Sequence, residues 1–555
     1  MARDDIAAPL AANHEVERIE KTRKRTLGNV RLRHHETNEI ILIPTPSSDP
    51  NDPLNWPQWY KWYMAVVICI AMTMCNFLAA GPSIAMVNIT MDFFPGAHPG
   101  RNPKLFHTAV AQISYFFTTV ALMQGVGNFF WIPVANKFGR RPTYVISYAI
   151  YLAMAIWLCF EKRYGAFLAG RIIMGFGAGA AETVAPITIA DLFFLHERGT
   201  VMALYSSFLS VGAATGLVFS GIITINHHWR VIFQVASALI GFVLLIAFFA
   251  FPETAFTREV PSDSASSISG SGPPSEKAPP VSTTTRDLEH SQIVVTQKKK
   301  PYISSLKLFH GTLTTESFFK LVVRPLGLII LPPVLWASLV EAVTIGFLVA
   351  MTSNVEIAYE ATYKFKSWQV GLCFIAALIG SIAGIPVGGK FGDVVADYFT
   401  KRNGGVRDPE MRLPAMIPAL ITAPLSLVLY GVGIEYKLHW MCPTMGIFLL
   451  NFAIVQGTNV ALVYVIDCYR PVAGEVTLAV MGFKSLFGFL LSFYTNTWVT
   501  QSGYLNAYGT MAAISAAMLL GWIPLYFWGK RVRHATWQWR VISYVHWDDD
   551  REVGE

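Results

Sequence analysis

Apolar residues along this chain gather into twelve runs, at about 62–91, 108–134, 143–160, 164–190, 200–223 and 229–251, then 326–351, 367–391, 413–434, 438–466, 472–500 and 505–528. No charged residue interrupts 108–134 or 143–160. About 20 apolar residues in a helix cross the hydrocarbon core of a bilayer, and a helix satisfies its own backbone there. The pattern predicts an all-α polytopic membrane protein of 12 transmembrane helices in two six-helix bundles, 56–253 and 325–529.

The polar stretches set the boundaries. Residues 1–55 are charged and unpatterned and predict a disordered cytosolic tail, in which Arg23-Lys24-Arg25 is a solvated charge run. Residues 254–324 form a cytosolic linker, with Ser/Pro/Thr-rich sequence from Ser262 to Thr285 that cannot bury a core. Lys298-Lys299-Lys300 follows, then a weakly amphipathic stretch from Tyr302 to Leu321 suited to the membrane surface. Residues 530–555 form a second cytosolic tail.

Composition agrees with the membrane reading. Of 555 residues, 53% are hydrophobic and 14% charged, against roughly 25% charged in soluble domains. The net charge of +7 lies in loops and tails flanking the apolar runs, as topology requires, so no nucleic-acid partner is expected. The six cysteines read as small core hydrophobes, without metal or disulfide spacing. No phosphate-binding G-x-x-x-x-G-K-[ST], H-E-x-x-H or G-x-S-x-G is present, so neither an enzyme nor a cofactor or metal is expected. Some sixty polar residues precede the first run, which is expected to serve as an internal insertion signal.

The turn Asn136-Lys137-Phe138-Gly139-Arg140-Arg141-Pro142 is a tight cationic loop between two uncharged runs. Gly139 permits backbone conformations closed to other residues, and the two arginines can grip carboxylates or helix-end carbonyls. The turn resembles the loop between spans two and three of the major facilitator superfamily, G-x-x-x-D-[RK]-x-G-R-R. Here Ile132 stands for the first Gly and Asn136 for the Asp, while Lys137, Gly139, Arg140 and Arg141 fit. In that family the loop belongs to a charge network that latches the two halves. The lead-in Asp52-Pro53-Leu54-Asn55-Trp56-Pro57-Gln58-Trp59-Tyr60-Lys61 resembles fungal members of the drug:proton antiporter branch. Trp229-Arg230-x-x-Phe233, Pro252-Glu253-Thr254, Pro409-Glu410-x-Arg412-Leu413 and Asp467-x-x-Arg470-Pro471-x-x-Gly474-Glu475 are similar to the subgroup of the yeast polyamine and cation transporter. The G-P pairs usual in the fifth span of the antiporters are missing from 212–221.

The halves echo one another, as transporter repeats do. Gly389-Lys390-Phe391-Gly392-Asp393 has the spacing that the first half lost; Asp191 with Arg198 after span four is matched by Asp467 with Arg470 after span ten. These residues, with the cationic turn, are the expected conformational gate. The even span number, the linker and the basic tail place both termini in the cytosol.

Charges inside spans are costly and seldom face lipid. Arg171 and Glu182 stand eleven residues apart on span four, near three helical turns, so they share a face. Gly175 and Gly179 between them permit close helix approach. Glu341 is the only charge between Arg324 and Glu356 on span seven. Lys484 on span eleven reads as neutralising an acid in a fixed structural pair. Asn451, Gln456 and Asn459 on span ten either orient a ligand or bind neighbouring helices. Arg171 with Glu182 is likewise either a structural pair or part of a site. Two acids facing one cavity repel, which favours a proton or an organic cation between them. The resemblance implies proton-coupled transport of a small solute by a plasma-membrane monomer; a drug or metabolite efflux pump and a non-transporting nutrient sensor are the alternatives.

Overall fold

The computed structural model describes residues 30–31, 44, 46–47, 49–97, 102–256, 306–309, 311–314 and 316–539, and these are almost wholly helical. Twelve helices are long and apolar enough to cross a membrane. Spans 1–6 are Gln58–Phe93, Thr108–Phe138, Arg140–Phe160, Tyr164–Leu192, Glu197–Ile223 and Val231–Ala250. Spans 7–12 are Pro332–Tyr363, Ser367–Arg402, Pro409–Glu435, Met441–Cys468, Ala473–Ser492 and Tyr494–Trp537. Spans 4, 7 and 10 are the most deeply buried and spans 6 and 12 the least. Spans 2 and 11 pack together across the seam between the halves, as do spans 5 and 8.

Breaks in the helices follow from particular residues. Span 1 is interrupted by a 3-10 turn, Gly81–Ala85, where Pro82 has no N–H to donate. Carbonyls on one face of span 1 accept from neighbouring spans: Ala71 from Tyr148 Oη at 2.5 Å, Met74 from Tyr151 Oη at 2.8 Å, Cys75 from Gln124 Nε2 at 3.3 Å and Leu78 from Arg171 Nη1 at 2.8 Å. Residues three and four apart share a helix face, so this row is a polar seam inside the first half. The long helix Ala473–Leu520 is broken at Gly503, where φ is 77° and the next amide, Tyr504 N, donates to Glu435 Oε2 at 2.9 Å.

Small residues bring helices together as the spacing in span 4 predicts. A methyl at Gly175 would lie 3.0 Å from Val120 Cα of span 2, and one at Gly179 would lie 3.0 Å from Gln124 Cα.

The polar segments differ from the sequence expectation in three places. Residues 49–55 are ordered, because Asp52 caps the turn Pro53–Asn55 through Leu54 N at 3.0 Å and both Asp52 and Leu54 are buried. The linker boundary drawn at 324 falls inside a helix, Phe318–Leu328, which packs against spans 2 and 11 with Arg324 wholly buried. This part of the predicted amphipathic stretch is therefore held to the protein by a buried charge. The last helix runs to Trp537, past the predicted tail boundary at 530, because Arg533 is clamped to Glu410 by bonds of 3.0 Å from Nε and Nη2. Arg23 to Arg25, Ser262 to Thr285 and Lys298 to Lys300 lie outside the described residues.

Candidate functional site

Near mid-membrane, spans from both halves bring together a small set of polar groups. Lys484 Nζ of span 11 donates to Glu182 Oε1 of span 4, and both side chains are almost wholly buried. This ion pair joins the two halves. Lys484 Nζ also lies 3.3 Å from Met481 Sδ. Tyr205 of span 5 donates its hydroxyl to the Glu182 carbonyl at 2.5 Å. Glu341 of span 7 is 1% exposed, lies within electrostatic reach of Lys484 and Glu182, and has a buried Oε2 without a hydrogen-bond partner among the described residues. Cys75 of span 1 also senses both charges of the pair. The cluster thus holds two carboxylates and one ammonium.

Arg171 does not join this cluster, although it shares a helix face with Glu182 in sequence. Its Nε donates to Phe116 O at 2.8 Å and its Nη1 to Leu78 O, while its guanidinium stacks near Phe117 and Phe233. It brackets spans 1, 2 and 4 within the first half.

The three amides of span 10 have separate surroundings. Asn451 Nδ2 donates to Ile447 O of its own helix at 2.8 Å, and Gln456 Nε2 donates to the Ala415 carbonyl. Asn459 Nδ2 reaches Gly388 O at 2.8 Å and Gly199 O at 3.3 Å, so it ties spans 10 and 8 to span 5 of the other half. The π turn Val387–Phe391 in span 8 lies at this contact, and such a turn frees carbonyls from the helical ladder. Asn459 therefore lies at a contact between the halves.

The residues expected to form the gate make the following contacts. Arg140 Nε pairs with Asp191 Oδ2 at 2.9 Å, and Arg198 Nη2 donates to Ala190 O at 3.2 Å. Arg141 Nη2 donates to Phe248 O at 2.6 Å. All three contacts stay inside the first half. Gly139 has φ 109°, and the amides that follow it are held by Glu253: Arg140 N donates to Oε1 at 2.8 Å and Arg141 N to Oε2 at 3.1 Å. Lys137 contributes its carbonyl to Leu313 N of the linker at 2.9 Å.

Contacts between the halves at this end come from Asp393, Asn459 and Gly474. Asp393 Oδ1 accepts from Arg412 Nη2 at 2.7 Å and Asp393 Oδ2 from Thr200 Oγ1 of span 5 at 3.4 Å. Gly474 lets span 11 approach the first half, since a methyl there would lie 3.5 Å from Asn136 Nδ2 and 2.9 Å from Ile187 Cδ1. Asp467 is buried within reach of Arg407, whose guanidinium burial pulls below its usual range. Arg470 opens the 3-10 turn Arg470–Val472 between spans 10 and 11.

Sequence reasoning missed three things. Glu253 was visible only inside a subgroup motif, although an acid just past span 6 is a ready cap for a helix start nearby. The buried trio Glu316, Arg324 and Glu475, with bonds of 2.6 Å and 3.1 Å from Arg324 to the two acids, joins the linker helix to the foot of span 11. Lys484 pairs with a buried acid as expected, but the sequence does not name that acid as Glu182 of the opposite half, which opposite charges at similar depth on spans 4 and 11 could have suggested.

The profile of the Major Facilitator Superfamily matches residues 66–491. Protein HOL1 of Saccharomyces cerevisiae is 24% identical over 91% of this chain and 92% of its own length. The MFS transporter cpaT of Aspergillus oryzae is 24% identical over 88% of this chain and 90% of its own. Among solved structures, the proton:xylose symporter XylE bound to 6-bromo-6-deoxy-D-glucose matches with a TM-score of 0.54 at 15% identity, covering 84% of this chain and 97% of that one.

Proposed function

The chain belongs to the Major Facilitator Superfamily, and from that premise we propose that it is a proton-coupled secondary transporter of a small organic cation, such as a polyamine, working by alternating access. One observation carries this reading. At mid-depth Glu182 of the first half is ion-paired with Lys484, a second carboxylate, Glu341 of the second half, lies in the field of that pair, and one oxygen of Glu341 has no hydrogen-bond partner among the described residues.

An uncompensated buried charge is costly. With both acids ionised the cluster is one positive charge short, and either a proton on Glu341 or a substrate ammonium in the cluster restores the balance. The two are mutually exclusive, which is the chemistry an exchange of protons for cations needs. Differential affinity for the loaded and empty cluster would then shift the equilibrium between outward and inward states. The protein acts as a monomer in the plasma membrane, with both termini cytosolic, since one chain supplies both faces of the pathway.

The test is accumulation of labelled spermidine in cells with and without the protein at two external pH values. Protein-dependent flux that changes with pH supports the reading. Depletion of the intracellular label makes the protein an exporter, and no flux at all leaves a sensor built on the same fold.

A further inference from the structure

We propose that Lys484 is a tethered stand-in for the substrate, an ammonium that occupies Glu182 when the pathway is empty and yields it to the incoming cation. The inference rests on the cation-transport reading above. It starts from the placement of the pair: Lys484 is on span 11 of the second half, Glu182 on span 4 of the first, and both side chains are buried. A lysine side chain ends in a compact point charge on a flexible four-carbon stem with three donors. That is chemically the end of an alkyl amine, so Lys484 and a primary ammonium of a polyamine compete for one carboxylate on equal terms.

Charge balance says where Lys484 goes. Of the titratable groups that face the pair among the described residues, Cys75, Tyr205 and Glu341, only Glu341 is a second carboxylic acid, and it already lies in the field of Lys484. Glu341 Oε2 has no hydrogen-bond partner among the described residues. When a substrate ammonium takes Glu182, Lys484 can turn to Glu341, and two carboxylates then face two cations. The proton that balanced Glu341 in the empty state leaves. One proton thus departs for each ammonium that binds, without change of net charge in the cluster.

The geometry also gives the pair a second task. It crosses the seam, so in the empty protein Lys484 holds the halves together at mid-depth in place of substrate. A carrier lacking that ammonium must bring two acids together with nothing between them when it returns empty.

Full-length protein in lipid nanodiscs, titrated with spermidine by calorimetry, provides the binding measurement, and proteoliposomes provide the transport measurement. Lys484→Gln removes the internal competitor, so spermidine should bind roughly tenfold tighter or more. Net uptake should fall much further than exchange of labelled for unlabelled spermidine, because only net uptake needs the empty return. Lys484→Arg keeps the charge but grips the carboxylate bidentately, and it should weaken spermidine binding several-fold with the fold intact. Binding to Lys484→Gln no tighter than to the wild type, or equal loss of exchange and net uptake, overturns the stand-in role while leaving cation transport standing. Should Lys484→Gln fail to fold, unchanged spermidine affinity in Lys484→Arg overturns it instead. A wild-type protein that does not bind spermidine overturns both readings.

Discussion

Arg171 donates Nη1 to the carbonyl of Leu78 at 2.8 Å, and that carbonyl is the one Pro82 leaves without its helical donor. The break in span 1 and the buried arginine in span 4 therefore answer one another. Arg171 is fully buried, with a second bond to Phe116 O at 2.8 Å. Hydrogen bonds from a charged donor are worth about 1.5–3 kcal/mol each. Arg171→Met should lower the thermal midpoint of the purified protein strongly. Pro82→Ala, which restores an N–H to Leu78, should recover part of that loss in the double variant. Strictly additive effects in the double-mutant cycle would show that the two sites are independent.

A second relationship fixes the cationic turn. The carboxylate of Glu253 accepts from the amides of Arg140 and Arg141, and its Oε1 also accepts from Ala255 N at 2.9 Å. An acid at the start of a helix is favoured by the exposed N–H groups and the helix dipole. Glu253→Ala should leave these amides unpaired and let span 3 fray at its first turn. Transport should slow several-fold while the amount of protein at the cell surface holds. Because the Arg140–Asp191 pair holds this same turn to span 4, Arg140→Ala should produce a similar slowing through the same helix end. Turnover in both variants equal to wild type would show that the turn is not part of the gate.

How far the sequence reached can be judged from these residues. The twelve spans were legible because lipid enforces one rule, long uncharged helices, that leaves a plain trace in the chain. Glu182 and Glu341 were legible for the same reason, as charges where charge is costly. Arg171 was assigned to the wrong neighbour because helical spacing gives a face but not a depth or a partner. Its partners are carbonyls of Leu78 and Phe116, and backbone acceptors leave no mark in side-chain sequence. The sequence leaves Asn459 open between a ligand and a neighbouring helix for a related reason: the π turn that offers it Gly388 O is a backbone event. The Glu316–Arg324–Glu475 trio spans some 160 positions and could be found only by folding the chain.

That trio makes the linker helix a structural part of the seam. Arg324 bonds Glu316 of the linker and Glu475 of span 11, and Phe318 rests on Phe130 of span 2 with ring centroids 6.1 Å apart. Truncating the wholly buried member of a buried ionic group costs about 3–5 kcal/mol, because buried charge is then left under-compensated. Arg324→Ala should therefore destabilise the protein far more than Lys320→Ala, whose partner contact is 3.5 Å and more exposed. Thermal unfolding of the two variants in detergent checks this. Equal midpoints would mean that the linker helix carries no stability.

The remaining prediction concerns the mid-membrane acids, whose roles differ in this structure. Glu182 is balanced by Lys484, whereas Glu341 has the oxygen without a hydrogen-bond partner among the described residues. Glu341→Gln removes the carboxylate on which proton and cation compete, so uptake should lose most of its dependence on external pH. The sign follows from competition: in the wild type, lowering the pH on the side where substrate binds protonates the acid and weakens cation binding there. Affinity should thus fall with pH in the wild type and stay flat in Glu341→Gln. Glu182→Gln instead leaves Lys484 without its partner across the seam, free to turn to Glu341, and should abolish cation binding at every pH. Labelled spermidine uptake and binding across a pH series measure both variants. Wild-type pH dependence retained in Glu341→Gln would move the coupling site elsewhere, and wild-type affinity in Glu182→Gln would remove that acid from the pathway.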